Sequence, residues 1–283
     1  VLFRSAQGDD QVVVKVLACG VCFSDIHVVD GDFGGKPRPL TLGHEVTAFT
    51  EEHGNVFVYT PWGCGECRFC AAGSEMICPD SHEAGLFDQG GYAEYMLVPY
   101  RRYIFPLGDL DPIDSAPLGC GGLTAFRAVK QALPHLRKGH RALVLGAGGL
   151  GQYAVQYLAL MSDAEIHVGD PDPAKCATAL EIGASAAAAP GDLDGPYTAV
   201  LDFVAGQAGG QFQHAAAQHQ LELVHLVKVR RGTAPLARLV FVQRSMRIIR
   251  SALEEGADHR PRRTVHRRAA LARAGGRDVP ERK

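Results

Sequence analysis

The stretch Arg141-Ala-Leu-Val-Leu-Gly-Ala-Gly-Gly-Leu-Gly151 decides the fold. Its first five residues form a short apolar run that predicts a buried strand, and the glycines that follow predict a sharp turn. Beyond the turn, apolar residues recur at Val155, Leu158 and Met161, a spacing that indicates a helix. A strand, a glycine-rich turn and a helix in this order predict the first unit of a doubly wound parallel sheet, an α/β fold of the Rossmann type.

The glycine-rich turn has the G-x-G-x-x-G spacing of a dinucleotide-binding site. Its glycines allow a tight turn and let a pyrophosphate approach the helix N-terminus, where the dipole and the free N–H groups favour anions. Nineteen residues after Gly151, behind a predicted strand from Glu165 to Gly169, stands Asp170. An acid there can accept both ribose hydroxyls and would repel a 2′-phosphate, so we expect NAD rather than NADP. The cofactor-binding residues predicted in this way are Gly146, Gly148, Gly149, Gly151 and Asp170; a turn that merely joins core elements remains the alternative.

Four cysteines lie within fifteen residues in the pattern C-x2-C-x2-C-x7-C: Cys64, Cys67, Cys70 and Cys78. Four thiolates at this spacing can close a tetrahedral structural zinc site. An iron-sulfur cluster is an alternative because Pro79 follows the last cysteine, but the bacterial motif has three residues before that cysteine rather than seven. Reduced or disulfide-paired cysteines are a further alternative. We expect a structural zinc that folds a lobe and does no chemistry.

Cys22, His44 and Cys120 are scattered, so only folding could bring them together. Three protein ligands would leave a metal with an open position, which catalysis requires. Taken singly each residue is a weak signal, because a lone histidine is more often a satisfied residue and Cys120 could be a small buried thiol. Their order ahead of the nucleotide turn favours a second, catalytic zinc.

Length and composition describe a soluble globular protein. The chain has 283 residues, 46% hydrophobic and 21% charged, with a formal net charge of -2, which suits two domains of ordinary size. The first ten residues lack the basic start and apolar run of an export signal, and the glycines and glutamines of 142–161 argue against a membrane span. We therefore expect a cytosolic protein without membrane contact, whose eight cysteines are ligands or buried thiols.

The charge is unevenly distributed along the chain. Residues 228–283 contain 16 Lys and Arg against 5 Asp and Glu, a balance of +11, which leaves -13 for residues 1–227. Arginine-rich segments can bind nucleic acid through phosphates. No recognition motif or aromatic stacking platform accompanies these arginines, so a solvated tail is the preferred reading and a nucleic-acid partner is not expected.

Together these motifs resemble the zinc-containing alcohol dehydrogenases of the medium-chain dehydrogenase/reductase superfamily. The resemblance runs from about Val12 to Val204, and its motifs are specific because they occur together in one order. The matching stretches are GVCFSDIH (20–27), LGHE (42–45), GCGECRFC (63–70), GGYAEYMLVP (90–99), APLGCGGLTAF (116–126), LGAGGLG (145–151) and VLDFV (200–204). The resemblance implies a GroES-like, mainly β catalytic domain over 1–122 and a Rossmann domain over 123–283 that is incomplete and atypical after about 205.

The resemblance also implies roles for single residues around the metal. Cys22, His44 and Cys120 would hold the catalytic zinc, with Glu45 beside it. Ser24 would pass the alcohol proton toward the cofactor ribose, and His27 would deliver it to solvent. Asp25 would orient His44.

Around the cofactor, Thr124 would touch the nicotinamide and Leu150 would back its ring, while Trp62 resembles a wall of the substrate pocket. The implied activity is the reversible oxidation of a primary or secondary alcohol by NAD, in a possible homodimer or homotetramer. A polyol or formaldehyde dehydrogenase, and a catalytically impaired zinc-binding remnant of the family, remain alternatives.

The chain departs from the family pattern at two places. Between His44 and Cys64 several residues are missing, and shortening a strand by an odd number would reverse its faces, so His44 could be displaced. After Val204 the pattern fades, although residues 220–227 could still form a strand. The family also continues beyond the point that corresponds to Lys283, with a segment that returns to the catalytic domain.

Overall fold

The computed structural model describes residues 10–32 and 39–204 and the strand His225–Lys228. In chain order the first part contains β1 (Val12–Gly20), α1 (Phe23–Val29), β2 (Glu45–Thr50), β3 (Gly54–Val58), β4 (Pro61–Trp62), α2 (Arg68–Ala71), β5 (His82–Glu83), β6 (Tyr95–Val98), β7 (Ile104–Pro106), α3 (Pro112–Ser115) and α4 (Gly121–Ala132). The second part contains β8 (Arg141–Leu145), α5 (Gly149–Met161), β9 (Glu165–Gly169), α6 (Pro173–Glu181), β10 (Ala186–Ala188), β11 (Ala199–Asp202) and β12 (His225–Lys228).

The first part is built on an antiparallel sheet of five strands in the order β6-β1-β2-β3-β7. Valines dominate β1, and the alternation of buried Val14 with exposed Lys15 gives the strand one core face. A register shift between Val16 and Ala18 marks a bulge opposite β2. The pairing of Gly20 with Glu45 holds the end of β1 beside the start of β2, and the chain around Cys22 therefore lies next to His44.

The shortened segment after His44 forms a compact hairpin. Strands β2 and β3 pair in register from Val46↔Val58 to Thr50↔Gly54, and Gly54 adopts a φ of 66°, which favours glycine. His44, directly before β2, lies with Cys22 and Cys120 in one cluster of candidate metal ligands. A displacement of His44 relative to the family stays a prediction.

The second part is a parallel sheet in the order β10-β9-β8-β11-β12. This is the 3-2-1-4-5 order of a doubly wound fold, and it confirms the Rossmann-type prediction. The predicted strands Arg141–Leu145 and Glu165–Gly169 have the expected bounds, and the predicted helix is α5. The strand expected within residues 220–227 is found at His225–Lys228, parallel to β11.

One hydrophobic core connects the two parts. It contains Val56 and Val58 of the antiparallel sheet, Phe126 of α4, Leu158 of α5 and Val144 of β8, all of them fully buried. Burial of each such side chain contributes about 1.5 to 3 kcal/mol. Helices α4 and α5 lie against each other, with Phe126 and Tyr157 edge to face at 5.5 Å. This packing fixes the position of Cys120, which directly precedes α4.

Several sequence-based predictions fall outside the described residues. The basic segment 229–283 and the residues before position 10 are among them, as is most of the atypical stretch after about 205. The division at residue 122 stays a prediction. None of the described helices is long and apolar enough to span a bilayer.

Candidate active site and structural metal centre

Three separate elements bring the predicted catalytic ligands together. Cys22 directly precedes α1, His44 precedes β2, and Cys120 precedes α4. Candidate ligand atoms of Cys22, His44, Glu45 and Cys120 all lie within 4.8 Å of one another. The sulfurs of Cys22 and Cys120, 98 positions apart in the sequence, are separated by 3.7 Å.

This geometry fits a zinc ion. With Zn–S bonds of about 2.3 Å, two sulfurs of a tetrahedral site lie about 3.8 Å apart, close to the observed separation. His44 is 2% exposed, and its Nε2 atom is buried without a hydrogen-bond partner among the described residues. A buried ring nitrogen without a hydrogen-bond partner lowers the stability of the fold unless it binds a ligand. Glu45 adds a carboxylate beside the three predicted ligands.

Asp25 lies beside the ring of His44, and its role in orienting that ring stays a prediction. Its Oδ1 atom lies 3.2 Å from Nδ1 of His44, which leaves Nε2 to face the ligand cluster. Its Oδ2 atom accepts hydrogen bonds from the backbone N–H of Cys22 at 2.9 Å and from the hydroxyl of Tyr92 at 2.7 Å. Tyr92 also donates to the carbonyl of Gly20 at 3.1 Å. The sequence reasoning missed Tyr92, whose only signal was its place in the GGYAEY stretch.

Electrostatics in the cluster favour a cationic ligand. The hydrogen bond with Cys120, together with the nearby His44, lowers the pKa of Cys22 to about 4 despite burial. Burial disfavours the charged form of His44, but hydrogen bonds with Asp25 and Cys22 outweigh the effect of burial and raise the pKa of His44 to about 10. Burial and the negative charge of Cys22 raise the pKa of Glu45 to about 7. A thiolate and carboxylates, with no lysine or arginine of the described residues among the groups that shift their pKa values, are a typical metal-binding environment.

The residues of the expected proton route lie on α1. The hydroxyl of Ser24 lies 3.7 Å from the sulfur of Cys22. His27 is farther out, 24% exposed, with Nδ1 2.6 Å from Oδ2 of Asp32. No hydrogen bond joins Ser24 to His27 among the described residues, so any transfer between them requires an intervening group.

Trp62 differs from its expected role. It is 5% exposed, lies in the hydrophobic core, and donates its ring N–H to the carbonyl of Tyr59 at 2.8 Å. Its ring packs against Tyr103 at 6.4 Å. Trp62 is therefore a packing residue. The neighbouring strand β5 instead places Glu83, which the sequence reasoning missed, in the vicinity of His44 and Cys22.

The compact cysteine cluster forms a second tetrahedral arrangement. The sulfurs of Cys64, Cys67, Cys70 and Cys78 lie within 4.8 Å of one another. Individual pairs are separated by 3.9 Å (Cys64 and Cys70), 3.5 Å (Cys67 and Cys70) and 3.7 Å (Cys67 and Cys78).

These lengths again match the edges of a tetrahedron around one zinc, whereas a disulfide would bring two sulfurs to about 2 Å. Backbone N–H groups of Glu66 and Cys67 lower the pKa of Cys64 to about 7, which favours the thiolate.

The glycine-rich turn has the features of a nucleotide site. Gly146 has a φ of 86°, and a Cβ on Gly151 would overlap the Gly146 carbonyl group. A Cβ on Gly148 or Gly149 would meet no atom of the described residues within 4 Å, so the described part of the chain leaves space in front of the helix N-terminus. That space suits a pyrophosphate group.

Asp170 closes the other side of this turn. It is 5% exposed, and its carboxylate accepts hydrogen bonds from the backbone N–H groups of Ala147 at 2.8 Å and Asp172 at 2.9 Å. Each oxygen retains a second lone pair for a ribose hydroxyl. Leu150 and Thr124 lie at the starts of α5 and α4, both half-buried.

Comparison with known proteins agrees with this geometry. Residues 8–109 match the alcohol dehydrogenase GroES-like domain. The NAD-dependent alcohol dehydrogenase of Saccharolobus solfataricus is 39% identical over 175 residues, which are 55% of this chain and 50% of that protein. The chain thus spans about half the length of the curated relatives it matches.

Solved structures are similar over a longer range. The alcohol dehydrogenase of Aeropyrum pernix superposes with a TM-score of 0.78 at 26% identity, covering 90% of this chain and 85% of that one. The cobalt- and zinc-bound alcohol dehydrogenase of Pyrobaculum aerophilum gives 0.71 at 26% identity, with 88% and 82% covered. The arrangement of its ligands, its two sheets and these similarities support the assignment of the chain to the zinc-containing alcohol dehydrogenases of the medium-chain dehydrogenase/reductase superfamily.

Proposed function

We propose that this protein catalyses the reversible oxidation of a primary or secondary alcohol to an aldehyde or ketone, with NAD as hydride acceptor. The observation that carries the proposal is the convergence of Cys22, His44 and Cys120 from three elements into one ligand cluster. The relatives named as alcohol dehydrogenases support it. The acid at position 170 and the name of the Saccharolobus relative support NAD over NADP.

Cys22, His44 and Cys120 would hold the catalytic zinc, with Glu45 beside them. Such an ion can lower the pKa of a bound hydroxyl from about 16 to about 7, worth roughly 12 kcal/mol of charge stabilisation, whereas a general base alone contributes about 3 to 5 kcal/mol. Asp25 keeps the imidazole of His44 oriented for ligation through Nε2, and Tyr92 holds Asp25 in place.

The remaining chemistry is positioning and proton movement by the chain itself. The hydroxyl of Ser24 receives the proton that the substrate alcohol loses, and an intervening group carries it to His27, which is held by Asp32 at the protein surface and releases it to solvent. Asp170 binds the ribose, and the glycines of the turn admit the pyrophosphate. Thr124 and Leu150 orient the nicotinamide. The protein thereby supplies alignment for the hydride transfer.

The second zinc is part of the proposal. Cys64, Cys67, Cys70 and Cys78 would bind it and fold their lobe, for a total of two ions per chain.

A homodimer or homotetramer is included by analogy with the family, and light scattering after size exclusion tests it. A cytosolic location is also included, because all the described cysteines are unpaired.

The proposal is tested by measuring zinc per chain together with NADH formation on a panel of short alcohols. Two zinc ions with turnover support the proposal. Cys22→Ala should lose turnover and one zinc, while Cys176→Ala, which changes a buried thiol outside both clusters, should retain both ions. Turnover that survives Cys22→Ala would refute the assignment of the catalytic site.

A further inference from the structure

Glu83 lies beside the candidate active site without contributing to the ligand cluster. It pairs with Pro61 in the small β4-β5 sheet, and the turn that follows packs on the chain just before His44. The backbones of the two segments are in close contact, because a Cβ on Gly85 would come within 2.7 Å of the backbone of Gly43. The N–H of Ala84 donates to the carbonyl of Thr60 at 3.2 Å, and the Thr60 hydroxyl donates to the carbonyl of His44 at 2.9 Å.

The charge of Glu83 acts on the same region. It acts electrostatically on His44 and Cys22, and its charge is also felt by Cys120 and by the buried Tyr59. Burial raises the pKa of Glu83, since the carboxylate is removed from bulk water. The residue as a whole is half-buried, although its carboxylate is shielded from water.

Glu83 has no structural partner that would explain a carboxylate at this place. Among the described residues, its side chain makes no hydrogen bond or ion pair, and only its backbone carbonyl is used, by the turn at Leu86 to Asp88. Two other acids, both buried, do have side-chain partners. Glu75 pairs with Arg102 at 3.3 Å, and Asp25 accepts hydrogen bonds from Cys22 and Tyr92. A buried carboxylate without a partner is costly, so the fold alone does not account for it.

The surroundings of Glu83 are rich in negative charge. Asp25 and Glu45 are buried close to the same cluster, and the groups that most strongly influence these three acids include no lysine or arginine. The two positive charges of a zinc ion would be neutralised by two thiolates, and a neutral imidazole adds none. The negative charges of the three carboxylates would therefore remain uncompensated. A cationic group on the bound substrate would compensate them.

We propose that Glu83 is a specificity-determining residue that selects alcohols carrying a protonated amine, through a charge-assisted hydrogen bond from the ammonium group to its carboxylate. The inference rests on the proposed alcohol dehydrogenase function and names its substrate class. An ammonium supplies both charge and donors, whereas an alkyl group leaves the carboxylate unpaired. Sites with polar groups of this kind discriminate strongly against substrates that leave them unpaired.

Three alcohols with the same number of heavy atoms test the proposal: 3-amino-1-propanol, 1,3-propanediol and 1-butanol. Their far ends are an ammonium, a hydroxyl and a methyl group. The zinc-loaded full chain with NAD, at about pH 8, should show kcat/KM at least about tenfold higher for the amino alcohol than for 1-butanol. Glu83→Gln should abolish this advantage and leave 1-butanol within about threefold of the wild type. Glu51→Gln, which changes an exposed acid in the β2-β3 turn, should keep the wild-type ranking.

Two kinetic outcomes would overturn the proposal. A preference for the diol over the amino alcohol would assign Glu83 to hydroxyl recognition instead. An equal loss for all three alcohols in Glu83→Gln, at unchanged zinc content, would make it a structural residue.

Calorimetric titration of the same compounds into the zinc- and NAD-loaded protein tests the role of Glu83 in binding independently of the proposed dehydrogenase activity. Tighter binding of the amino alcohol that disappears in Glu83→Gln supports the role of Glu83 even where no alcohol is oxidised. Oxidation of 1-butanol without any such preference supports the function and refutes the role of Glu83.

Discussion

Gly148 and Gly151, the second and third glycines of the G-x-G-x-x-G turn, require glycine for different reasons, and alanine substitutions separate them. In Gly151→Ala the new Cβ would lie 2.9 Å from the carbonyl carbon of Gly146 and closer still to its oxygen. Ordinary carbon contacts are about 3.5 to 4.0 Å, so the turn and α5 must separate by roughly 1 Å. Overpacking of this kind costs about 1 to 3 kcal/mol. In Gly148→Ala the new Cβ meets nothing within 4 Å, and the protein without cofactor should be unaffected.

The expected results differ in kind. Gly151→Ala should lower the melting temperature without NAD by about 2 to 12 °C, taking about 2 to 4 °C for each kcal/mol. Gly148→Ala should melt like the wild type without NAD, because its backbone has a φ of -72° that alanine tolerates. It should nevertheless bind NAD at least about tenfold more weakly, since its methyl group would occupy space next to the pyrophosphate.

Differential scanning fluorimetry with and without NAD, together with calorimetry, measures both effects. A ligand at about 100 times its Kd stabilises the folded state by about 2.7 kcal/mol, so the loss of NAD binding is readily seen as a lost thermal shift. If Gly148→Ala kept the wild-type Kd, the pyrophosphate would not approach this turn and the cofactor site would be wrongly placed. If Gly151→Ala melted like the wild type, the argument from the close contact with Gly146 would be incorrect.

Further predictions concern the two metal centres. Asp25→Asn should weaken zinc binding at the catalytic cluster by about 10- to 100-fold in a chelator competition, because the imidazole loses its charged partner, and an unchanged affinity would contradict that role. Tyr92→Phe removes one hydrogen bond to Asp25 and should have a smaller effect, less than about tenfold by the same competition. Cys70→Ala should lose one zinc and lower the melting temperature while the Kd for NAD stays unchanged; retention of two zinc ions would refute the second site. Ser24→Ala should lower kcat by about 10²-fold at full zinc content, whereas near-normal turnover would remove it from the proton route.

The parts of the fold that follow local patterns could be predicted from the sequence. Strand β8, the glycine-rich turn and helix α5 are specified by neighbouring residues, and so is the cysteine lobe, whose four sulfurs lie within fifteen positions. The spacing also identified Asp170 as a buried acid behind β9. It did not show that this carboxylate already binds the backbone N–H groups of Ala147 and Asp172, because those contacts depend on the relative position of two strands.

Other features depended on the tertiary structure. The deletion after His44 suggested a displaced ligand, and only the folded chain shows that His44 still lies in one cluster with Cys22 and Cys120. Trp62 resembled a pocket residue, yet the packing of its ring against Tyr103 placed it in the core. Glu83 carried no signal in the sequence, because an acid in a short strand usually faces solvent.

The sequence by itself determined the strand-turn-helix-strand unit over 141–169, the two groups of metal-binding residue types and the nucleotide turn, because strands, helices and tight turns are governed by residues close together in the chain. Only the tertiary structure decided that Cys22 and Cys120 meet at 3.7 Å and that Tyr92 holds Asp25. It also decided that an unpaired Glu83 lies beside them. These relations join residues tens of positions apart, and they follow from how the antiparallel sheet packs against α4, which no local pattern encodes.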